Sequence, residues 1–193
     1  MMEHIHSSFL EAERCLREFL ADATAMASVE KAIVAIAGAF RAGGKAISCG
    51  NGGSMSDAMH FAEEFSGRYR KDRKALPAIA VSDPGHISCV ANDYGFDYVF
   101  SRQVEALGRK GDVLLAISTS GNSPNVIRAA ERAREIGLTV IGLLGRDGGK
   151  LKALCDIPIL VPGDTTDRMQ ELHIKIIHVV IEGVERMLFP ELY

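Results

Sequence analysis

The amino-acid sequence predicts an α/β protein: a doubly wound, five-stranded parallel sheet with two leading helices and a long C-terminal helix. Three observations carry this expectation. Five short runs, Ala46 to Cys49, Ala78 to Val81, Val113 to Ile117, Thr139 to Leu144 and Ile157 to Val161, are apolar almost throughout, as strands covered on both faces are. Segments of helical periodicity separate them, which calls for right-handed crossovers and helices on both sides of the sheet. Two loops rich in Gly and Ser follow the first and third runs, and in open parallel sheets ligands bind beyond the carboxyl ends of strands, at a topological switch point.

Taken in order, residues 3 to 42 place Phe9, Cys15, Leu16, Phe19 and Leu20, then Ile33, Val34, Ile36, Ala37 and Phe40, at helical spacing, with Gly43 and Gly44 closing the stretch. An amphipathic helix pair covers one face of a domain, so a first helix that is apolar on more than one side predicts a partner subunit. The strands and their crossovers fill residues 45 to 161. The last segment, Asp167 to Leu188, carries Met169, Leu172, Ile176, Ile177, Val180, Ile181, Val184 and Leu188 as the apolar face of a long helix. Residues 1 to 193 read as one domain, in which 1 to 43 form a helical extension packing on the domain and on partner subunits.

At 193 residues the chain is long enough to bury roughly 70% of its unfolded surface without a staple. The net charge of −3 and the dispersed 22 basic residues give no nucleic-acid footprint, and the one basic stretch, Arg68 to Lys74, reads as a solvated helix end. Cys15, Cys49, Cys89 and Cys155 show no Cys-x-x-Cys spacing, which argues against disulfides and structural zinc and for a reducing compartment. The N-terminus lacks the basic start and apolar core of a signal peptide, and charge or glycine interrupts every apolar run short of a membrane span. A cytoplasmic protein is the expectation.

The two loops are Gly50-Asn51-Gly52-Gly53-Ser54 and Ser118-Thr119-Ser120-Gly121-Asn122-Ser123. Each opens a helix, where unpaired N–H groups and the helix dipole favour an anion. Neither contains the Gly-Lys-Ser/Thr of a nucleoside triphosphate loop, so a small phosphorylated metabolite is the expected ligand. His60 and Glu64, four residues apart, share one helix face after the first loop; such pairs are common on surfaces, and the adjacent Glu63 competes for the role. On the terminal helix Gln170 and His178 lie within about 80° of each other around the axis, His173 reads as a satisfied core or interface histidine, and His178 sits in an apolar run where it needs a partner, be it only a backbone carbonyl. Asn92 and Asp93 read as a cap or turn, Arg68 as solvent-facing and Cys49 as a buried strand end without nucleophilic character.

The ordered set Cys49-Gly-Asn-Gly-Gly-Ser54, Asp57-Ala-Met-His-Phe-Ala-Glu-Glu64, Gly67-Arg-Tyr69, His86 to Val90, Asn92-Asp93, Gly111 to Leu115, Ile117 to Ser123, Asp147-Gly-Gly149 and Gln170 to Lys175 with His178 resembles the sugar isomerase (SIS) domain family, in its phosphoheptose isomerase branch, over nearly the whole chain. The resemblance implies a homotetramer with sites between subunits, converting D-sedoheptulose 7-phosphate to D-glycero-D-manno-heptose 7-phosphate on the way to ADP-heptose and the lipopolysaccharide core. It implies that Ser118, Thr119, Ser120 and Ser123 bind phosphate, that Asn51, Gly52, Gly53, Glu64, Asn92, Asp93 and Gln170 contact the sugar, and that Glu64 and His178 transfer protons. It also implies zinc on His60, Glu64, Gln170 and His178. A zinc ion stabilises the ionised form of Glu64 and weakens it as a base, so either the carboxylate divides its oxygens between the tasks, or substrate replaces it, or the metal is structural or inhibitory. The chain departs from the branch at Met55-Ser56, where His-Cys is common, and in a short loop from Pro162 to Asp167, which bears on substrate contacts near Asp167.

Two alternatives accompany this reading. A noncatalytic SIS module that binds a replication initiator protein or senses a sugar phosphate shares the length and the loops, but has no need of both Glu64 and His178. A related isomerase acting on arabinose 5-phosphate or hexulose 6-phosphate differs in the sugar length its pocket accepts.

Overall fold

A computed structural model of the chain describes residues 2–193. The sheet is wholly parallel, with strands β1 (Ala46–Gly50), β2 (Ala78–Ala80), β3 (Val113–Ser118), β4 (Thr139–Gly145) and β5 (Ile157–Val161) in the order β2-β1-β3-β4-β5. Each lies within a residue or two of the run expected for it. Seven α-helices surround the sheet: α1 (Met2–Ala21), α2 (Ala23–Arg41), α3 (Gly53–Ser66), α4 (Pro84–Asp93), α5 (Val99–Leu107), α6 (Pro124–Ile136) and α7 (Thr166–Leu188). Asp22 divides the leading pair by capping α2, its carboxylate accepting from the N–H groups of Thr24 and Ala25 at 2.8 and 3.1 Å.

Alternate residues of each strand feed two separate cores. Val113, Leu115 and Ile117 of β3, with Ile141 and Leu143 of β4, pack under α1, α2, α3 and α7. Leu114 and Ala116, with Val140 and Leu144, pack under α4, α5 and α6. This two-sided burial is why the strands read as continuous apolar runs. Met55, the departure on α3, packs against the second core, so its side chain fills space there.

The leading helices are part of the first core: Cys15 and Phe19 of α1 and Val29, Ala32, Ile36, Ala37 and Phe40 of α2 are buried, α2 lying along α7. One expectation needs correcting. Helix α2 is long and apolar enough, by length and composition, to cross a membrane; its 19 residues carry charge only at Glu30, Lys31 and Arg41. Its buried stripe against α7 and the sheet accounts for that apolarity within the fold. Outward, α1 presents Phe9 (74% exposed), Leu10, Leu16 and Leu20, so the helix is apolar on a second side as well.

Buried Asp112 fixes the amino ends of β1 and β3. Its carboxylate accepts from the N–H of Lys45 at 2.8 Å and of Arg109 at 2.9 Å, and pairs with the Lys45 ammonium at 2.5 Å.

His173 on α7 is fully buried, as expected of a core histidine, and burial lowers its pKa to about 4. In the unfolded chain the ring binds a proton below about 6.5, so between pH 6.5 and 4 the unfolded state holds more protons and the fold loses stability as pH falls, by up to about 1.4 kcal/mol per pH unit for this group. Thermal melts of wild type and His173→Leu across that window should therefore diverge in slope, the variant being the less sensitive to acid.

Candidate active site

Both glycine- and serine-rich loops stand at the carboxyl ends of adjacent strands, β1 and β3, where the strand order reverses. After β1 the chain enters α3 through Gly52, whose φ of 56° favours glycine. Gly53 follows, and a Cβ there would overlap the side-chain amide of Gln170 on α7, so this glycine permits the close approach of α3 and α7. After β3, the buried Ser118 hydroxyl accepts from the Gly121 N–H at 3.1 Å and lies 3.4 Å from the Ser123 hydroxyl. Ser123 occupies the N-cap of α6 and makes no side-chain cap bond, while Thr119 and Ser120 are more open to solvent. Hydroxyls and helix-terminal amides without a lysine suit a phosphate monoester.

Asn51 is held by a residue that sequence reasoning missed. Its amide exchanges two hydrogen bonds with Asn125, at 2.9 and 2.8 Å, and Asn125 is 2% exposed. The first loop is thereby tied to the first turn of α6. Asn125 follows Pro124 in an ordinary helix start and carried no signal of this role.

Farther along α3, His60 and Glu64 meet His178 of α7. The Nε2 atoms of the two histidines are 3.0 Å apart, His60 Nε2 is 3.3 Å from Glu64 Oε1, and the rings meet edge to face. Glu63 is the outer of the two candidate carboxylates: it reaches the opposite ring nitrogen of His60, at 3.4 Å, and is largely exposed, whereas the Glu64 side chain is 17% exposed. Burial first, and then the neighbouring His60, lower the pKa of His178, which favours its neutral form. Tyr69, part of the resemblance but given no role from sequence, stacks on His178 with ring centroids 5.8 Å apart. Asp57, one turn before His60, has a buried carboxylate oxygen, and burial raises its pKa to about 6.

The donors of His60, Glu64 and His178 all lie within 4.8 Å of one another. Two imidazole nitrogens and a carboxylate oxygen converging on one point fit zinc. Gln170, on the same helix as His178, lies against the amino end of α3.

Asn92 and Asp93 stand apart from this cluster. They are exposed at the last turn of α4, where the Asn92 amide donates to Asp93 at 2.8 Å. Arg68 is exposed, and Cys49 is wholly buried with its pKa raised to about 12 by desolvation, as expected of an inert thiol. The reading of Arg68 to Lys74 as solvated fails at Arg73. Its side chain is fully buried against Glu185, 2.7 Å away, because that carboxylate and several carbonyls replace its water.

The chain matches the SIS domain family over residues 9–145. It is 56% identical to a phosphoheptose isomerase of Fusobacterium nucleatum over 187 residues, 97% of this chain and 96% of that one. Among solved structures, a phosphoheptose isomerase from Neisseria gonorrhoeae superposes with a TM-score of 0.89 at 41% identity, covering 95% of this chain and 98% of that one. One from Francisella tularensis gives 0.91 at 34%, covering 96% and 98%.

Calorimetric titration of the metal-free chain with zinc is expected to give one site per chain. His60→Ala and His178→Ala should each weaken it at least tenfold, and Glu63→Ala should leave it within about twofold.

Proposed function

The chain belongs to the SIS domain family, and on that premise we propose that it is a phosphoheptose isomerase, interconverting D-sedoheptulose 7-phosphate and D-glycero-D-manno-heptose 7-phosphate. The observation that carries this reading is the convergence of Glu64 and His178, from two different helices, in a chain that also holds a phosphate-suited loop at the β3 terminus. A module that only bound a partner or sensed a sugar phosphate would have no use for that pair.

The phosphate binds Ser118, Thr119, Ser120 and Ser123 and the first amides of α6. This remote contact anchors the sugar so that C1 and C2 are presented to the proton-transfer groups, turning binding energy into orientation. Gly52 and Gly53 offer main-chain contacts to the sugar, and Gln170 approaches its reacting end. The Asn51 amide is engaged by Asn125, so Asn51 acts on the sugar through its backbone and through the placement of its loop.

Glu64 removes the C1 proton of the ketose and returns it at C2, through an enediol. His178, neutral because burial disfavours its charged form, moves the hydroxyl proton between O1 and O2. In the reverse direction Glu64 takes the proton from C2 and returns it to C1, and His178 moves the hydroxyl proton from O2 to O1. His60, Glu64, Gln170 and His178 would hold a zinc ion, which when bound would polarise the oxygens at C1 and C2.

The active assembly is a homotetramer, supported by the outward apolar side chains Phe9, Leu10 and Leu20 of α1, Met59 of α3 and Val179 of α7. Asn92 and Asp93, exposed on α4 away from the cluster, then serve the sugar in a site completed by a neighbouring subunit. The enzyme works in the cytoplasm, at the first step toward ADP-heptose and the lipopolysaccharide core.

Proton NMR of sedoheptulose 7-phosphate with the protein in deuterated buffer should develop an aldoheptose anomeric signal. Glu64→Gln should lower kcat about 10²- to 10⁴-fold with KM little changed, as for a lost general base. Absence of the signal with and without added zinc would overturn the reading. Ser123→Ala should act in the other parameter, raising KM roughly tenfold through one lost hydrogen bond to a charged group.

A further inference from the structure

Residues 67 to 77 join α3 to β2 without helix or strand and lie across α7. Three of their side chains meet one stripe of that helix. Tyr69 stacks on His178, Arg70 Nη1 lies 3.0 Å from Glu182 Oε2, and Arg73 Nε donates to Glu185 Oε1 at 2.7 Å. Positions 178, 182 and 185 follow the i, i+4, i+7 spacing of a single helix face. The segment is therefore laid along α7 in a defined register, starting at the imidazole of the active site.

Arg73 differs from the other two contacts in burial. Its side chain and that of Glu185 are both fully enclosed. Besides the carboxylate, the guanidinium reaches the end of α3: Nη2 donates to the Glu64 carbonyl at 2.6 Å, and Nη1 to the carbonyls of Phe65 and Gly67, both at 2.8 Å. Carbonyls at a helix C-terminus have no N–H of a further turn to bind them, and a cation there opposes the negative end of the helix dipole. Arg73 is thus a side-chain cap on α3 that grips the backbone of Glu64 itself. Glu185 in turn is fixed from its other oxygen by the Tyr193 hydroxyl, at 2.6 Å.

A buried ion pair of this kind adds little stability over a well-packed apolar pair, whereas removing one partner is costly. What it supplies is geometry, since a planar guanidinium satisfies several acceptors at fixed angles and an ammonium does not. We propose that Arg73, held by Glu185, is a positioning residue for the isomerisation. It locks the last turn of α3 to α7, so that the Glu64 carboxylate and the His178 imidazole keep the separation that proton transfer needs. This inference rests on the reading of Glu64 and His178 as the proton-transfer pair.

The test compares steady-state kinetics of wild type, Glu64→Gln, Arg73→Lys and Glu185→Asp, with circular dichroism melts to establish folding. Arg73→Lys keeps the charge opposite Glu185 but cannot span the three carbonyls; Glu185→Asp keeps the ion pair but draws the guanidinium away from α3. Each folded variant is expected to lose 10- to 100-fold in kcat with KM within about threefold of wild type, because small misplacements of reacting groups carry penalties of that size. A folded Arg73→Lys or Glu185→Asp with kcat within twofold of wild type would overturn the proposal, as would a raised KM at unchanged kcat. Failure of both variants to fold would make the pair a determinant of the fold and overturn the positioning role. An inactive wild type, or an active Glu64→Gln, would instead overturn the reading on which the proposal rests.

Discussion

The parallel pairing of β1 with β3, in register from Ala46 opposite Val113 to Gly50 opposite Ile117, is the constraint on which the site depends. It is secured at both ends by polar groups. Asp112 binds the Lys45 and Arg109 amides where the strands begin, and the Asn51–Asn125 exchange ties the loops where they finish. From this shared edge the chain leaves in opposite directions, α3 to the face carrying α2 and α7 and α6 to the other. A crevice between two helix N-termini follows, and it suits a ligand with a charged end and a reacting end.

The two ends of this crevice are built differently. At the β3 loop, hydroxyls and amides are prepared by local chain geometry, with Ser118 already bonded to the Gly121 N–H. At the seam of α3 and α7 the polar groups come from separate helices and meet within an otherwise apolar layer that includes Phe61, Phe65, Ile177 and Ile181. Desolvation there lowers the pKa of His178 and raises that of Asp57, so the surroundings already bias which forms of these groups exist near neutrality. The seam is narrow because Gly53 lacks a side chain, and its far end is closed by the Arg73–Glu185 pair.

The outer surface of the first core tells a complementary story. α1 buries Cys15 and Phe19 inward and leaves Phe9, Leu10, Leu16 and Leu20 outward, and Met26 and Val34 of α2 join them. An isolated domain gains nothing from a second apolar side, whereas a subunit interface is stabilised by it. The same layer carries His178, with its neighbour Val179 exposed, so an outward apolar side chain and the cluster share one helix.

By itself the sequence determined whatever depends on neighbours along the chain. Uninterrupted apolar runs revealed strands buried on both faces, the period of 3.6 revealed the helices, and the four-residue step placed His60 and Glu64 on one face of α3. The resemblance added the idea that His178 and Gln170 belong with them, which spacing alone left open. Tertiary structure decided the rest: the approach of His60 to His178, 118 residues away, the Asn51–Asn125 exchange across 74 residues, and the burial of Arg73 on Glu185 across 112. Arg73 looked solvated because a run of basic residues has the composition of a surface. Only the packing of α3 on α7 shows which one of them loses its water, since local periodicity carries no information about the partner that another helix brings.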